Sequence, residues 1–447
     1  MAEIKTINPY TDLPGASVPP EDPTLNAEGG FGVFNQMQVG SGSVAYKMDR
    51  QGFWLGGRTF ADAIFSVDMY GNLVAKSATI AGYKLFEAVV GPSNADYSSV
   101  YAAITAGKTR IFVRNGTYTN EPKWVVSNAN TVITGESYGG VDIQFAEDTA
   151  EHIHIKASQV NFVFQDLKLT ANESSDHDLI KLIYPSAQYG IVDRCILKNR
   201  RSKYFNTDNS TLKSYLTVKD TRFDLTSLGS SYTPNIYCFY SINDALVINS
   251  FVDANVNYVG TGWYLFYSCN RTFVSNSKFV DVGTNDMHNY ANAHLFFNNC
   301  FFGCSNIISD AHHIGCSFQN NASSNSGYFI YLTPSQTTFV DNRVKCPVDM
   351  DVLLVDAANN TITGNFFEDG KNIVIQNASL GIKGIIFSNN NWVSGYTSAA
   401  IVLTIGTDIS VSNIIGNIIR NNSNSFTPVL TDSGTGNNVA YNQLIKG

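Results

Sequence analysis

Charged residues are scarce in this chain of 447 residues: they make up 15% of the sequence, against roughly 25% in an average soluble domain. The formal net charge is −8, and the clearest basic run is the short KNRRSKY at 198–204. Binding of duplex nucleic acid needs clustered lysine and arginine side chains that neutralise phosphates. The composition therefore argues against nucleic acid as a partner, and we interpret the basic run as a solvated loop.

Long apolar runs are also missing. No stretch of about 18 apolar residues occurs, so we expect no membrane span. Residues 1–30 contain no apolar run of the kind that secretory signal peptides carry. We therefore expect a protein that is made in a cytoplasm.

Cysteines are few and scattered, and no CxxC pair occurs. Most stand inside short apolar patterns such as DRCIL and NNCFF, where a free cysteine behaves as a small buried apolar residue. HIHIKA places His152 and His154 on one strand face without a third ligand, so we expect neither a metal nor another cofactor. The thiols predicted to be buried are Cys195, Cys238, Cys269, Cys300, Cys304, Cys316 and Cys346.

Asparagine, serine, threonine and glycine supply most of the polar remainder, and a short phrase keeps returning. LTVKDTRFDL, LVINSFVDAN and FVSNSKFVDV each hold an apolar pair, a short polar residue, two spacers and another apolar residue. The copies recur about every 25 residues, and such a fixed period is typical of repeat architectures. The anchor residues of the copies are Asp166, Asp193, Asp220, Asn249, Asn276, Asn298, Gly315, Asp341, Gly364, Asn390, Gly416 and Tyr441.

The repeat predicts an all-β fold. Apolar residues recur at every second position, as in VNFVFQDLKL, and not at the 3.6-residue period of helices. A unit of about 25 residues is too short for a propeller blade of about 40–50 residues. We therefore predict a parallel β-helix of about 14 coils over 86–447. The anchors mark one corner of each coil, where Asn, Asp and Gly tolerate left-handed backbone.

Two segments precede the repeats. Residues 1–30 are rich in proline and poor in apolar residues, which predicts an extended N-terminal arm. Residues 31–85 are short β segments broken by glycine, and they are too few to bury a core of their own. We predict that they form a β-rich stalk that pairs with other chains. SNADYSSVYAAITAG has a polar start, apolar residues at helical spacing and a glycine stop, which predicts a short capping helix near 97–106.

The block ADYSSVYAAITAGKTRIFVRNGTYTNEPKWVVSNANTVITGES resembles the entry of the pectate-lyase-like right-handed parallel β-helix superfamily. Proteins of this superfamily commonly open with such a capping helix, then a strand, a GTY sequence and a strand that ends in I-x-G-E. The resemblance implies a right-handed coil but no particular activity, because this fold hosts lyases, hydrolases, epimerases and inert adhesins. The matching residues are Asp96, Tyr97, Ile104, Gly116, Thr117, Tyr118, Ile133, Gly135 and Glu136.

The upstream segment GFWLGGRTFADAIFSVDMYGNLVAKSATIAGY resembles the β repeats that precede such helices in phage tail fibres and tailspikes. This resemblance implies a homotrimer in a virion, attached through its N-terminus to other virion tail proteins; an extracellular location is the alternative. Our main hypothesis is a receptor-binding protein that recognises a bacterial surface polysaccharide, with depolymerisation left open. The alternative is a free-standing polysaccharide lyase, glycoside hydrolase or epimerase of the same fold.

Three strands, NIYCFYS, GWYLFYS and NAHLFFN, align with one another and predict an outward aromatic wall. The alignment directs Cys238, Leu265 and Leu295 inward. Exposed aromatic residues mark contact surfaces, and two interpretations stay open: a carbohydrate-binding groove or a seam between subunits. The residues predicted to face outward are Tyr237, Tyr264 and His294 in one column and Phe239, Phe266 and Phe296 in the next.

Cleavage of a glycan needs two carboxylates, or a base beside a cation that neutralises a uronate. The best cluster lies in VDVGTNDMH, where Asp281, Asp286 and His288 are the candidate catalytic residues. The nearest cations are Arg271 and Lys278, and this shortage weakens the case for a lyase. Other side chains considered are Asp176, Asp178, Glu368, Asp369, His312 and His313.

Overall fold

A computed structural model of the chain shows two compact units, Met1–Glu87 and Ala88–Gly447. The residues that the structure describes are 36–39, 46–49, 52–55, 59, 63, 65–68, 73–75, 79–80, 83–146, 151–156, 161–171, 178–182, 188–199, 203–207, 214–224, 236–253, 263–267, 269, 271–280, 294–302, 307–309, 312–319, 328–332, 337–347, 349–356, 358–376, 382–407, 409–422 and 426–446. The predicted arm, 1–30, lies outside them.

The first unit is β-rich, as the sequence predicts. Its described residues form a five-stranded antiparallel meander, in which each strand pairs with the next along the chain. Trp54 is buried in this unit. A two-stranded hairpin joins Thr79–Ile80 to Tyr83–Lys84. The strands of the meander are Gln36–Val39, Tyr46–Asp49, Gly52–Leu55, Phe65–Asp68 and Leu73–Ala75.

The predicted capping helix, α1, lies at Val100–Thr105, after the first strand of the second unit, Ala88–Val90. Ser99 is its N-cap, and the Ser99 hydroxyl accepts a hydrogen bond from the Ala102 backbone amide at 3.1 Å. Such a cap satisfies one of the free amides of the first turn. Val100 and Ala103 are buried, so the apolar side of α1 packs against the core.

Two long parallel sheets run through the second unit. Sheet 1 has fifteen described strands and sheet 2 has fourteen. The strands of sheet 1 are Ala88–Val90, Arg110–Val113, Thr131–Gly135, Asn161–Gln165, Gln188–Asp193, Ser214–Lys219, Asp244–Ile248, Thr272–Ser275, His294–Phe297, His312–Ile314, Thr338–Val340, Thr361–Thr363, Ile386–Ser388, Asn413–Ile415 and Asn438–Ala440. The strands of sheet 2 are Gly116–Glu121, Val141–Phe145, Lys168–Thr170, Ile196–Lys198, Arg222–Asp224, Phe251–Asp253, Lys278–Val280, Cys300–Phe302, Ser317–Gln319, Arg343–Lys345, Phe366–Glu368, Asn391–Ser394, Ile418–Asn421 and Gln443–Lys446.

The third face of the coil is divided into two sheets of six strands each. Sheet 3 covers the N-terminal coils, with strands Trp124–Val126, Ile153–Ile155, Ile180–Leu182, Lys203–Thr207, Ile236–Tyr240 and Trp263–Tyr267. Sheet 4 covers the C-terminal coils, with strands Ile307–Ser309, Tyr328–Leu332, Asp351–Val355, Asn372–Ile375, Val402–Ile405 and Val429–Asp432. A small parallel pair joins Ile382–Lys383 to Ile409–Ser410.

This topology confirms the predicted parallel β-helix. Successive strands of one sheet come from successive coils, so each coil satisfies the backbone groups of its neighbours at a spacing of about 4.8 Å. Six strands in sheet 3 and six in sheet 4 mean that twelve coils have a strand on all three faces within the described residues. The sequence predicted slightly more, about 14.

Aromatic columns fill the interior of the middle coils. The rings of Phe279 and Phe301 stack at 4.8 Å between centroids, and those of Phe301 and Phe318 stack at 4.7 Å. These distances match the spacing of the strands, because equivalent positions of successive coils lie above one another. A fully buried histidine, His313, stacks on Phe296 at 5.0 Å.

The repeated phrase marks the corner between sheets 1 and 2. Ten of the twelve predicted anchors have the left-handed backbone that the sequence predicts, with φ between 49° and 70°. Two predictions are wrong by one position: the left-handed residue is Arg194 instead of Asp193, and Asn389 instead of Asn390. The correct register also brings the buried Leu197 and Trp392 to the inward position, three residues after the corner.

A ladder of asparagines, all buried except the half-buried last one, follows this corner in the C-terminal coils. Each ladder residue accepts a hydrogen bond from the backbone amide of the equivalent residue one coil earlier: Asn365 accepts from Asn342 at 2.9 Å, and Asn390 accepts from Asn365 at 3.0 Å. The Asn365 side-chain amide donates to the Phe339 carbonyl at 2.8 Å. The ladder satisfies polar groups that would otherwise be buried without partners. Its members are Asn299, Asn342, Asn365, Asn390, Asn417 and Asn442.

The cysteine prediction is confirmed at five positions. The thiols buried in the core are Cys195, Cys238, Cys269, Cys316 and Cys346, whereas Cys300 is half-buried; Cys304 lies outside the described residues. Burial raises the pKa of Cys195 and Cys269 to about 12, so these thiols stay protonated. No helix in the part of the chain that the structure describes is long and apolar enough to cross a membrane.

Candidate functional site

The predicted aromatic wall is wrong in half of its members. Phe239, Phe266 and Phe296 are buried, with at most 2% of each side chain exposed. In sheet 3, consecutive residues both point into the core: Cys238 and Phe239 are each fully buried. This strand, Ile236–Tyr240, therefore does not keep the two-residue alternation on which the prediction depended.

The third strand of that alignment belongs to another sheet. His294–Phe297 pairs with Thr272–Ser275 in sheet 1 and is not a neighbour of Trp263–Tyr267 in sheet 3. The coil is shorter here, so His294 is not in register with Tyr237 and Tyr264. Those two tyrosines are aligned, as the sequence predicts.

The catalytic candidates Asp281, Asp286 and His288 lie outside the described residues, and their role stays a prediction. Asp176 also lies outside them. The structure engages Glu368 in ion pairs with Arg343 at 2.9 Å and Lys345 at 2.8 Å. These ion pairs explain why the pKa of Glu368 is lowered and leave it poorly suited to act as an acid.

The remaining candidates are dispersed. Asp369 occupies a left-handed corner, and Asp178 lies at sheet 3. His312 accepts a hydrogen bond from the Thr338 backbone amide at 3.2 Å, and burial lowers the pKa of His313 to about 3, so His313 is a neutral core residue. Arg271 pairs with Asp244 on sheet 1.

Tyrosines cluster on the outer face of sheet 3. The rings of Tyr240 and Tyr267 stack at 5.2 Å between centroids, and Tyr237 meets both of them edge-on at 5.2 and 5.1 Å. The Lys203 ammonium lies 4.0 Å from the centre of the Tyr240 ring, which is a cation–π contact. We call Lys203, Tyr237, Tyr240 and Tyr267 the tyrosine platform. All three rings are half-buried.

A second group of polar side chains lies on the same face. The His154 imidazole contacts the Glu151 carboxylate, with 2.7 Å between Nδ1 and Oε1. The Lys123 ammonium is 3.0 Å from the same oxygen, and the Lys181 ammonium is 4.0 Å from the other. We call Lys123, Glu151, His154 and Lys181 the His154 group. Only 15% of the His154 side chain and 11% of the Glu151 side chain are exposed.

Burial and charge set the protonation states of this group. Burial lowers the pKa of His154, and the positive charges of Lys123, Lys156 and Lys181 lower it further against the opposing effect of the Glu151 carboxylate. Burial acts to raise the pKa of Glu151, but hydrogen bonds from its own backbone amide and from Lys123 outweigh burial and lower it. At neutral pH the pair is therefore a carboxylate and a neutral imidazole.

One row of outward positions connects the two groups. Strand pairing places Val125, His154, Lys181, Asn206, Tyr240 and Tyr267 directly beside one another on successive coils. Three steps of about 4.8 Å separate His154 from Tyr240, so the backbone positions are about 14 Å apart. The Asn206 side chain lies between them, where its amide nitrogen donates to Asp178 at 2.5 Å.

The sequence pattern indicated His154 only as half of a weak metal motif, and it did not indicate Tyr240, Tyr267 and Glu151. The structure buries His152, which stacks on Phe145 at 5.2 Å, so the two histidines do not share the outer face. Among the described residues, no group of three or more His, Cys, Asp or Glu side chains is placed to hold a metal ion. One sequence signal could have indicated the tyrosine platform: IYCFY and WYLFY each contain a second tyrosine three positions after the first.

Sheet 1 carries a different exposed surface. Its outward residues include Tyr189, Ile191, Phe273 and Phe297, whose side chains are between 36% and 51% exposed. Tyr189 stacks on Tyr215 of the next coil at 4.8 Å. We call these exposed residues the sheet 1 apolar stripe.

No known protein family matches the sequence, and no curated protein matches it. Solved structures with a similar fold include a mannuronic acid specific polysaccharide family 6 lyase from human gut microbiota, with 12% identity and a TM-score of 0.42 over 72% of this chain and 85% of that one. The A-module of the Azotobacter vinelandii mannuronan C-5 epimerase AlgE6 has 12% identity and a TM-score of 0.31 over 76% and 92%. Tailspike protein 3 of Bacteriophage CBA120 has 10% identity and a TM-score of 0.35 over 80% and 59%.

Proposed function

We propose that the protein binds an extended, acidic polysaccharide along the outer face of sheet 3. The observation that carries this proposal is the tyrosine platform. Aromatic faces pack against the apolar faces of sugar rings, and a tyrosine adds a hydroxyl that remains available to polar partners. Half-buried rings on successive coils offer repeated contacts to a repetitive ligand.

The charges on this face favour an acidic glycan. Lys203 in the tyrosine platform and Lys123, Lys156 and Lys181 around His154 supply four ammonium groups on a chain whose net charge is −8. Positive charge concentrated on one side of an acidic protein attracts an anionic polymer to that side and orients it.

We further propose that the polysaccharide is a bacterial surface glycan and that the protein is a receptor-binding, tailspike-like protein of a virion. The N-terminal β repeats in the sequence support this role, and the described strands of the first unit fit it. An extracellular location remains the alternative. A homotrimer belongs to the same proposal: the sheet 1 apolar stripe is an exposed surface that a second copy of this chain would cover.

Binding assays test the main proposal. The purified full-length chain is titrated with capsular and O-antigen polysaccharides, both acidic and neutral, and with dextran as a neutral control. We expect binding to an acidic polymer that weakens as the salt concentration rises, because part of the attraction is electrostatic. Binding to none of the acidic polymers would contradict the proposal.

Solution mass tests the assembly. A tailspike-like trimer has three times the 48.9 kDa of one chain, whereas a free-standing enzyme of this fold is expected to be a monomer. Removal of residues 1–85 should weaken the trimer, because we expect the stalk to pair between chains. An equally stable trimer after this deletion would assign the stalk another role.

A further inference from the structure

We propose that the outer face of sheet 1 carries a separate sugar site, a notch in which a neutral ring of the galactose type stacks on Tyr189. The notch lies on a different sheet from the tyrosine platform and takes an uncharged unit, so it goes beyond the proposed function and does not depend on it. Its basis is one row of outward positions on successive coils, near the start of the sheet 1 strands. We call it the Tyr189 row, and its members are Asn130, Asn161, Tyr189, Tyr215, Asp244 and Arg271.

The Tyr189 ring has one face covered and the other turned toward a shorter side chain. Tyr189 and Tyr215 stack with 4.8 Å between their ring centroids and 7° between their planes. This distance equals the spacing of the coils, so the ring faces point along the axis of the coil. Tyr215 covers one face of Tyr189, and the opposite face looks over the side chain of Asn161 on the preceding coil. Tyr189 is 51% exposed, so this second face is open to a ligand.

Packing beneath the strand holds the ring in place. Gly190 follows Tyr189, and a side chain at this position would meet the Phe162 ring of the preceding coil. Phe162 and Leu216, the neighbours of Gly190 on the two adjoining coils, are buried in the core. Tyr189 is therefore fixed outward between paired strands, and its stack with Tyr215 limits rotation of the ring. A ring that is ordered before binding loses little freedom when a sugar packs on it.

Two asparagines supply hydrogen-bonding groups at the floor of the notch. The Asn161 side-chain nitrogen donates to the Asn130 side-chain oxygen at 3.0 Å. This bond leaves the Asn161 carbonyl to accept and the Asn130 amide nitrogen to donate, and both residues are exposed. Neighbouring hydroxyls of one sugar ring use both kinds of partner, because a hydroxyl donates as well as accepts. The floor and the ring face together match a polar edge and an apolar face of one sugar unit.

The surroundings of the notch favour a neutral sugar. The charged members of the row lie beyond Tyr215 and neutralise each other: Arg271 donates to Asp244 through Nε and Nη2, both at 2.8 Å. The next outward row, about 7 Å away, places Val163 and Ile191 beside the notch. In galactose one hydroxyl projects from one face of the ring, so the opposite face presents a continuous C–H surface. Such a surface packs well on an aromatic face.

The position of the notch keeps it accessible beside a subunit seam. Tyr189 is the member of the sheet 1 apolar stripe that lies nearest the start of the strands, on the side of sheet 3. Ile191, Phe273 and Phe297 lie in rows closer to sheet 2. A second copy that covers those three residues leaves the notch at its border, where a sugar reaches it from the corner between sheets 3 and 1.

Saturation-transfer NMR on the full-length chain tests the notch. The probes are methyl β-galactoside and methyl β-glucoside, and the signal reports which sugar protons contact the protein. Tyr189→Ala removes the stacking face, Tyr189→Phe keeps it, and Asn161→Ala removes one amide of the floor. Tyr138→Ala is the matched control, because Tyr138 is a tyrosine with the same exposure, 51%. Solution mass and urea denaturation of every sample check assembly and folding.

We expect the wild type to bind the galactoside with a dissociation constant of about 1 mM and the glucoside more weakly. The strongest saturation should fall on the protons of the apolar sugar face. Tyr189→Ala should weaken binding about tenfold through the lost stacking contact, and Asn161→Ala about fivefold through the lost hydrogen bond. Tyr189→Phe and Tyr138→Ala should stay within about twofold of the wild type, because both keep the Tyr189 ring position and the floor.

The outcomes separate this site from the proposed function. No saturation of either sugar in the wild type, or equal binding by Tyr189→Ala, overturns the notch. A loss of trimer mass in Tyr189→Ala, in a protein that binds neither sugar, assigns Tyr189 to the subunit seam instead. The same samples are titrated with an acidic polysaccharide. Galactoside binding without polymer binding supports the notch and contradicts the proposed function, whereas polymer binding alone overturns only the notch.

Discussion

Sheets 3 and 4 occupy the same face of the coil in its two halves, yet their outer rows differ in chemistry. The row on sheet 3 contains a histidine, a lysine, an asparagine and two tyrosines. The corresponding row on sheet 4 contains Tyr331, Leu354, Val374, Thr404 and Thr431. The backbone pattern is the same in both halves, so the fold by itself does not determine where ligands bind; the outward side chains do.

At the buried corner between sheets 1 and 2, the C-terminal half has the more polar side chains and more hydrogen bonds. The corner of the C-terminal coils is held by the asparagine ladder, whereas the equivalent positions of the three coils before it are Thr221, Ser250 and Ser277. The Ser277 hydroxyl accepts one hydrogen bond, from the Ser250 amide at 3.1 Å. The Asn365 side-chain oxygen accepts two, from the backbone and side-chain amides of Asn342. The C-terminal half, whose outer row on sheet 4 has no charged side chain, therefore has the corner with more hydrogen bonds.

The largest effect should come from breaking the ladder. Asn365→Leu removes the side-chain partner of the Asn342 backbone amide and of the Phe339 carbonyl, and it leaves the Asn342 side-chain amide with the His313 carbonyl alone. At about 1–3 kcal/mol for each unpaired group, we expect the free energy of unfolding to fall by about 4 kcal/mol. Urea denaturation measures it.

Ser277→Ala is the matched control in the other half, and it should lower the free energy of unfolding by about 2 kcal/mol. If the two substitutions destabilise the protein equally, the ladder adds nothing beyond the single hydroxyl bonds of the earlier coils.

Acid should weaken the C-terminal half through His313. Its pKa is about 3 in the folded chain, against an ordinary value of 6.5. Below pH 6.5 the unfolded chain therefore binds a proton that the folded chain does not, and stability falls as pH decreases. We expect this residue to contribute a loss of about 1.4 kcal/mol per pH unit until the pH approaches 3.

His313→Phe should reduce this dependence, because phenylalanine keeps the stacking and does not titrate. The measurement compares denaturation midpoints at pH 7 and pH 4 for the wild type and the variant. His312→Gln, at a half-exposed neighbour, should keep most of the dependence. An unchanged pH slope in His313→Phe would assign the acid sensitivity to other groups.

Binding should distinguish the outer rows. Tyr240→Ala removes the ring that contacts Lys203, Tyr237 and Tyr267, and we expect the affinity for an acidic polysaccharide to fall about tenfold, which is about 1.4 kcal/mol. Tyr331→Ala on sheet 4 removes a ring of the same size and should leave the affinity unchanged. Calorimetric titration measures both. Equal losses would mean that the glycan does not follow sheet 3.

The smallest effect should come from an exposed ion pair. Glu368→Gln removes the partner of Arg343 and Lys345 on sheet 2, where solvent screens the charges, and we expect a change of less than about 1 kcal/mol in the free energy of unfolding. Thermal denaturation at low and high salt measures it. A much larger loss would show that surface charge, and not the ladder alone, stabilises the C-terminal coils.

Much of the fold could be read from the repeated phrase. A residue that can adopt left-handed backbone, followed three positions later by an apolar residue, is a local signal, and it located ten of the corners to the residue. It failed at two corners: Asn389 and Asn390 are adjacent candidates of equal merit, and Asp193 is by its residue type a better candidate than Arg194, which occupies the corner. The choice within each pair depends on the register of the coils on both sides.

The amino-acid sequence by itself determined that the chain winds into a parallel β-helix with a capping helix, because strand alternation, corner residues and repeat length are local properties. Only the tertiary structure decided which side chains face outward and which ones meet. Packing of the coil interior buries consecutive residues such as Cys238 and Phe239, and unequal coil lengths shift the alignment of distant strands. Stacking of coils brings Lys123 and Lys181 to the Glu151 carboxylate, which contacts His154 three residues later in the same coil.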